Sequence, residues 1–290
     1  MASIAPWVNF TPIKMWDDYG HTDYDAFERA YRWPLHAHVN VVSLSIGFFF
    51  PIPEVTQAIQ DGYAQGIVYA QAAGNDSSVV AYPGWLPEVL AVGATGERDS
   101  IRGYSNRGPE LDAVAPSDSL PTVDVSSYIG YSPQLSTCRG NDNYFCHFGG
   151  TSAAAPQVAA VAALVLSRKP GLITPTSTPE PVYEVLRHSS EDQINANDPP
   201  GFDNTYGWGR LNANKALLAV SHGDANNDGS INITDMVFIV NYIFRHGNPP
   251  WPNRLLADAN CDCAVNISDA YFLNAYIFAH GPAPGICYCQ

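Results

Sequence analysis

The chain is poor in positive charge. Its 290 residues hold 14 lysines and arginines against 28 aspartates and glutamates, a net charge of −14 with histidine neutral. That balance argues against nucleic acid and anionic membranes as partners, and it suits a protein that is exported or that holds cations. Long apolar runs are lacking as well. No stretch reaches the ~18 unbroken apolar residues of a membrane span; the nearest approach, residues 153–166, is shorter and carries Gln157. Met1-Ala-Ser-Ile-Ala-Pro-Trp7 has neither the basic nor the apolar region of a signal peptide. Cysteine is scarce, six in all, yet clustered as Cys138 and Cys146, then Cys261, Cys263, Cys287 and Cys289. Clusters of this kind point to an oxidising compartment. Export chemistry without an export signal leads to the expectation of a further N-terminal part in the whole protein.

What is present suffices for one medium domain and one small one, with a 46% hydrophobic content ordinary for a sizeable core. Phe148-Gly-Gly-Thr-Ser-Ala-Ala-Ala-Pro156 opens an apolar run to Leu166. Gly149 and Gly150 let the backbone approach whatever Ser152 faces. Thr151 or Ser152 can cap a helix there, with Pro156 expected in its first turn. A helix N-terminus gives Ser152 a positive field and unpaired N–H groups, which suits a nucleophile whose attack creates an oxyanion. A capped, buried helix without chemistry is the plainer reading. The pattern also predicts strands over residues 4–14, 40–47, 66–73 and 87–94, and extended segments at 101–105 and 111–114 about Gly108-Pro109. Helices are expected within 24–33, 54–65 and 181–189, and a polar loop over 117–147.

Four stretches in this order resemble the subtilisin-like serine proteases, the subtilase or S8-type family. They are Val41-Val-Ser-Leu-Ser-Ile-Gly47, Ala72-Ala-Gly-Asn75, Tyr104-Ser-Asn-Arg-Gly-Pro-Glu-Leu-Asp-Ala-Val-Ala-Pro116 and Gly150-Thr-Ser-Ala-Ala-Ala-Pro156. Tyr206-Gly-Trp-Gly-Arg-Leu-Asn-Ala-Asn-Lys-Ala-Leu217 resembles the closing loop and helix of such a domain. The resemblance implies an α/β, parallel-sheet, three-layer domain over residues 1–220, incomplete at its N-terminus. It implies Ser152 as nucleophile and Asn75, with the Ser152 N–H, as oxyanion donors. Ser45, Ile46, Gly47, Ala72, Ala73, Gly74, Gly150 and Thr151 would line the peptide-binding site. The family's Asp and His lie in Asp-x-Gly and His-Gly-Thr-His motifs, and neither has a counterpart here. Residues 5–14 resemble the strand after the histidine helix, so the chain is expected to begin downstream of both. Asp18-Tyr-Gly20-His21 falls after that strand and reads as solvated loop. His147 precedes Ser152 on the same loop, whereas a general base must approach from another element. An α/β-hydrolase would need Gly-x-Ser-x-Gly, and the last position is Ala154. A Cys138–Cys146 disulfide would staple the loop before Ser152; two buried thiols are the alternative.

The last part of the chain is a repeat with a period of 34 residues, running from Asp224 and from Asp258. Each copy places oxygen-bearing side chains at loop positions 1, 3, 5, 9 and 12, a calcium-loop spacing, with a backbone carbonyl at position 7. In residues 224–235 the ligand set is Asp224, Asn226, Asp228, Ser230, Asn232 and Asp235. In residues 258–269 it is Asp258, Asn260, Asp262, Ala264, Asn266 and Asp269. Two Ca²⁺ ions are expected. Asn232 and Asn266 also begin glycosylation sequons, but both are better used as ligands. Loop-then-helix, with Asp at position 12 and in tandem, resembles the type I dockerin, an α-helical, EF-hand-like module, here assigned to residues 221–290. The resemblance implies a cohesin partner, with Ile233-Thr234 and Ile267-Ser268 at the recognition positions. Cys263 stands where position 6 favours glycine, and Ile occupies position 10 where a small polar residue is common. Cys261, Cys263, Cys287 and Cys289 allow three disulfide connectivities, with a Cys₄ zinc site as the rival.

The expected protein is thus an extracellular serine endopeptidase domain, acting on peptide or protein, without its Asp and His partners in these residues. A calcium-dependent dockerin would tether it to a cohesin on a scaffold or cell surface, in a polysaccharide-degrading context. The alternative is a catalytically inactive relative used as a calcium-stabilised binding or scaffold component. The first domain alone is expected to be poorly stable, with an exposed apolar edge.

Overall fold

The computed structural model describes residues 3–17, 19, 21–124, 143–174, 177–250 and 253–288. The chain divides into two compact units, one of residues 1–163 and 173–211, the other of residues 164–172 and 212–290.

The first unit is built on a four-stranded parallel sheet whose spatial order follows the chain: β1 (Val41–Leu44), β2 (Val68–Ala72), β3 (Leu90–Thr95) and β4 (Leu111–Pro116). Val41 pairs with Val68, Ala70 with Leu90 and Ala91 with Leu111. β2 and β3 are buried at every residue and β4 at all but its last. That is why these strands read as apolar runs without alternation, as parallel sheets covered on both faces do. Parallel neighbours need a crossover, and α2 (Pro53–Ala64) supplies the one between β1 and β2. α2 buries Val55, Ala58, Ile59 and Gly62, and these join a core with Phe27 and Tyr31 of α1 (Tyr24–His36), Leu44, Tyr69 and Tyr82. Asp23 caps α1 by accepting from the Ala26 N–H. Because the strands are parallel, the segments after β1 and β2, residues 45–47 and 73–75, emerge on one rim, where open α/β sheets place their ligands.

Three expectations need correction. Residues 4–14 form turns and irregular backbone, not a strand; Trp7 and Phe10 stand exposed there, and no strand among the described residues pairs with the segment to hold it extended. Residues 101–105 make only an isolated bridge, Ile101 to Thr95, before turning. The polar stretch 117–147 contains two antiparallel strands, β5 (Leu120–Val123) and β6 (Tyr144–Phe148). Their paired backbone overrides a composition that reads as loop.

α3 (Thr151–Arg168) follows β6. Its residues to Ala163 belong to the first unit and the remainder to the second. α4 (Glu180–Ser189) is fixed by Tyr183, whose hydroxyl donates to Glu88 O at 2.7 Å and accepts from the Tyr69 N–H at 3.1 Å. Beside it Arg187 donates to the buried Asp112 at 2.8 Å.

The second unit contains α5 (Ala213–Ala219) and the two repeat helices, α6 (Ile233–Phe244) and α7 (Ile267–Phe278). Ala225, Ile239, Ala257, Ala259, Ala270 and Leu273 form its core. Both repeat helices start with a capping box. Asn232 and Asp235 make one, Asn266 and Asp269 the other. Among the described residues no helix is long and apolar enough to cross a membrane.

Candidate active site and calcium loops

Ser152 is half-buried at the start of α3. Its Oγ makes no hydrogen bond among the described residues, and the first N–H groups of the helix have no intrahelical acceptor. Pro156 lies beyond the first turn, inside the helix, which corrects the expected position. It lacks the N–H that would bond to Ser152 O. That carbonyl instead accepts from Ser45 Oγ at 2.9 Å. The end of the β1 segment is thereby tied to the residue that carries the candidate nucleophile.

Asn75 meets the same helix start. Its Oδ1 accepts from Thr151 N at 2.9 Å and from Thr151 Oγ1 at 3.1 Å. The amide is thus oriented with Nδ2 left as a donor. Thr151 Oγ1 also accepts from Gly74 N at 3.2 Å. Gly150 has φ +78°, and a Cβ there would lie 3.4 Å from both ends of the Asn75 amide. A glycine is what that backbone and that approach require. Ser45, Asn75, Gly74, Gly150, Thr151 and Ser152 therefore come together through named contacts. Ile46 and Gly47 continue the β1 segment, and Ala72 and Ala73 are buried in and after β2.

Sequence reasoning missed the residues that hold these segments. Buried Asn106 accepts from Asp76 N and Ser78 N at 2.9 and 3.0 Å, which shapes the loop after Asn75. Tyr104 OH accepts from Gly150 N at 3.2 Å and bonds to Ser117 Oγ at 2.9 Å. Gln71, fully buried, donates to Ile46 O and Ala72 O, and its Oε1 has no partner among the described residues. A lone glutamine in the buried run Val68-Tyr-Ala-Gln-Ala72 was the available signal.

The two histidines weighed in the sequence sit in an exposed loop and on β6. His21 pairs with Asp17 at 3.3 Å in an exposed loop. Backbone bonding from His21 and Tyr19 holds the Asp17 carboxyl below the usual range. Asp18 and Gly20 fall outside the described residues. His147 is exposed on β6, its ring 5.9 Å from Phe145.

In the second unit the donor set fits a hard cation. Carboxylate oxygens of Asp258, Asp262 and Asp269 all lie within 4.8 Å of one another. That spread suits a shared Ca²⁺ at 2.3–2.6 Å from each oxygen. Asp235, Asp258 and Asp269 are fully buried, and burial pushes the Asp235 and Asp269 carboxyls above the usual range. Buried carboxylates of this kind call for a counter-charge. Asn226 and Asp228, with Asn260 and Asp262 in the second copy, lie exposed or half-buried at the loop rims. Asn232 and Asn266 spend Oδ1 on the helix caps, accepting from Thr234 N and Ser268 N at 2.8 and 2.9 Å. Their Nδ2 groups donate to the Ser230 and Ala264 carbonyls.

Cys261 is bonded to Cys287, with Cα atoms 5.3 Å apart, and Cys263 and Cys146 are also disulfide-bonded. These bonds are incompatible with the Cys₄ zinc alternative. Cys138 and Cys289 lie outside the described residues. Cys263 has φ +64° and so adopts the left-handed backbone expected of glycine.

A family model for the subtilase family matches residues 1–209, and one for the type I dockerin domain matches residues 222–278. The chain belongs to the subtilase family and carries a type I dockerin. It is 32% identical over 174 residues to subtilisin DY of Bacillus licheniformis, covering 58% of this chain and 58% of that protein. To subtilisin E of Bacillus subtilis it is 30% identical over 173 residues, covering 58% of this chain and 41% of the relative. Among solved structures a lanthipeptide protease superposes with a TM-score of 0.60 at 27% identity, covering 74% of this chain and 71% of that one. The chain thus spans between about two fifths and three fifths of the length of these curated relatives.

Proposed function

We propose that this chain is the dockerin-bearing part of an extracellular subtilisin-like endopeptidase. Ser152 is the nucleophile, and Asn75 Nδ2 and the Ser152 N–H receive the oxyanion. Ser45, Ile46, Gly47, Ala72, Ala73, Gly74, Gly150 and Thr151 line the peptide site. The observation that carries this reading is the pair of hydrogen bonds that Asn75 Oδ1 accepts from Thr151 N and Oγ1, which leaves the amide donor beside the start of α3. The serine needs an Asp and a His that these residues do not supply, so the 290-residue chain alone hydrolyses peptides poorly. Treating it with a fluorophosphonate, with Ser152→Ala as control, tests this. Slow or no labelling is expected, and rapid labelling at Ser152 would overturn it.

The dockerin holds two Ca²⁺ ions, one in residues 224–235 and one in 258–269, and docks on a cohesin of a scaffold or cell surface, in a polysaccharide-degrading setting. Ile233, Val237 and Phe244 are exposed on α6, and Ile267, Tyr271 and Phe278 repeat them on α7. That duplicated apolar face supports a protein partner. Binding to an immobilised type I cohesin, lost on adding EGTA, is the expected result. A second reading, an inactive peptide-binding component, is favoured by a Ser152 Oγ that makes no hydrogen bond among the described residues. The same labelling experiment separates the two once the missing catalytic residues are supplied in trans.

A further inference from the structure

The loop that follows α4 carries three acids, Asp192, Asp198 and Asp203, and no basic residue between them. Backbone N–H groups hold each carboxylate. Asp192 accepts from Gln193 N and Gly201 N at 2.8 and 2.7 Å, and Asp198 Oδ2 from Ile194 N at 2.9 Å. Asp203 Oδ1 accepts from Thr205 N and Tyr206 N at 2.6 and 3.1 Å. Asn195 Nδ2 anchors the loop, donating to Asp99 O at 2.8 Å and to Tyr206 OH at 3.0 Å, and Ile194 packs against the core that contains Tyr206.

Two carboxylate oxygens are left over. Asp198 is only 5% exposed, yet its Oδ1 is buried without a hydrogen-bond partner among the described residues, and so is Asp203 Oδ2. The two carboxyl groups lie within hydrogen-bonding reach of each other. Burial, and then the neighbouring Asp203 and Asp192, push the Asp198 carboxyl above its usual range. Arg210, the next basic residue along the chain, is spent on Asp99 and Glu191.

A buried carboxylate oxygen of this kind must be answered by a proton or by a cation. The backbone decides between them, because N–H bonds to a carboxylate favour its charged form. Five such bonds serve these three acids, so a cation suits the loop better than a shared proton. The donors are hard oxygens, and buried ones suit Ca²⁺, since Mg²⁺ gives up its water reluctantly.

We infer that the loop of residues 192–203 is a Ca²⁺ site of the first unit, with Asp198 Oδ1 and Asp203 Oδ2 as its side-chain ligands. Loop carbonyls and water complete the shell, and the exposed Asp192 adds negative charge at the rim. The ion pins the segment that bridges to β4 through Arg210 and Val114. This site is distinct in sequence from residues 224–235 and 258–269, and it does not rest on the reading given to those loops.

Hydrogen exchange of the full chain, followed by mass spectrometry with and without CaCl₂, reads each site separately. Amides of residues 192–206 should exchange about tenfold more slowly at a Ca²⁺ concentration ten times Kd, because an ion held only by the closed loop suppresses its opening by a factor of 1 + [L]/Kd. MgCl₂ at the same concentration should slow them less. Asp198→Asn and Asp203→Asn each keep the acceptor oxygen that holds the backbone and remove the charge. Both should abolish the effect at 192–206 and leave residues 224–235 and 258–269 responding as in the wild type. The inference is overturned if wild-type exchange at 192–206 is indifferent to Ca²⁺, the result expected of a shared proton. It is equally overturned if Mg²⁺ matches Ca²⁺, or if either variant keeps the response. The wild-type comparison decides the matter even where a variant fails to fold. A response confined to the two C-terminal loops overturns this inference alone, and a response confined to 192–206 overturns the calcium reading of those loops alone.

Discussion

Asn75 serves two masters at the start of α3. Its Oδ1 takes the Thr151 N–H, which the helix itself cannot satisfy, and in doing so fixes where Nδ2 points. Asn75→Ala should therefore cost about 1 kcal/mol of stability, the usual worth of a lost helix cap. A shift of the urea midpoint at constant slope checks it. Ser45 is a milder case. Its bond to the Ser152 carbonyl exists because Pro156 has no N–H to offer there. Ser45→Ala should cost about 0.5–1.5 kcal/mol, and the loss should shrink in a Pro156→Ala background, where the helix can satisfy that carbonyl itself. A double-mutant cycle by chemical denaturation reads the coupling. At this scale what the sequence made legible is proximity: Ser152, Asn75 and Gly150 stand in short separate motifs that the structure brings together at the start of α3. Asn106, Tyr104 and Gln71 were not legible, because each acts on a segment tens of residues away and nothing near them in sequence marks the partner.

Helix α4 is held to the sheet by a buried polar set. Arg187 donates to Asp112, whose other oxygen takes the Ala91 N–H at 2.7 Å, and it also reaches Glu180 and Glu184. Arg187→Met would leave the Asp112 carboxylate buried without its cation, a change that costs about 3–5 kcal/mol. Thermal unfolding of the first unit should fall accordingly. In the second unit the Cys261–Cys287 bond closes a separation of 26 residues. Chain-entropy reasoning gives such a closure about 3 kcal/mol, so Cys261→Ser with Cys287→Ser should lower the stability of the dockerin by that order. Strands β1 to β4 were readable from apolar runs of strand length ended by turn residues. β5 and β6 were not, since Leu120-Pro-Thr-Val123 and Tyr144-Phe-Cys-His-Phe148 gain their strand character from each other and carry no period of their own.

The whole molecule carries two kinds of order on one acidic chain. Its repeat was legible because a calcium loop is a linear code, in which ligand spacing and helix start are written within twelve or so residues. The division into units was less so: residues 164–172 belong with the C-terminal unit although they continue the helix that begins at Thr151. The capping boxes bear on how the whole chain takes up ions. Asp235 and Asp269 hold the Asn232 and Asn266 N–H groups at 2.9 Å and are also the twelfth loop residues. The acid that would complete each coordination sphere is thus already spoken for by the helix behind it. On the calcium reading proposed above, ion uptake would proceed on a scaffold assembled in advance, so that exchange of Ca²⁺ would resemble the filling of a rigid chelator more than the folding of a peptide around a metal.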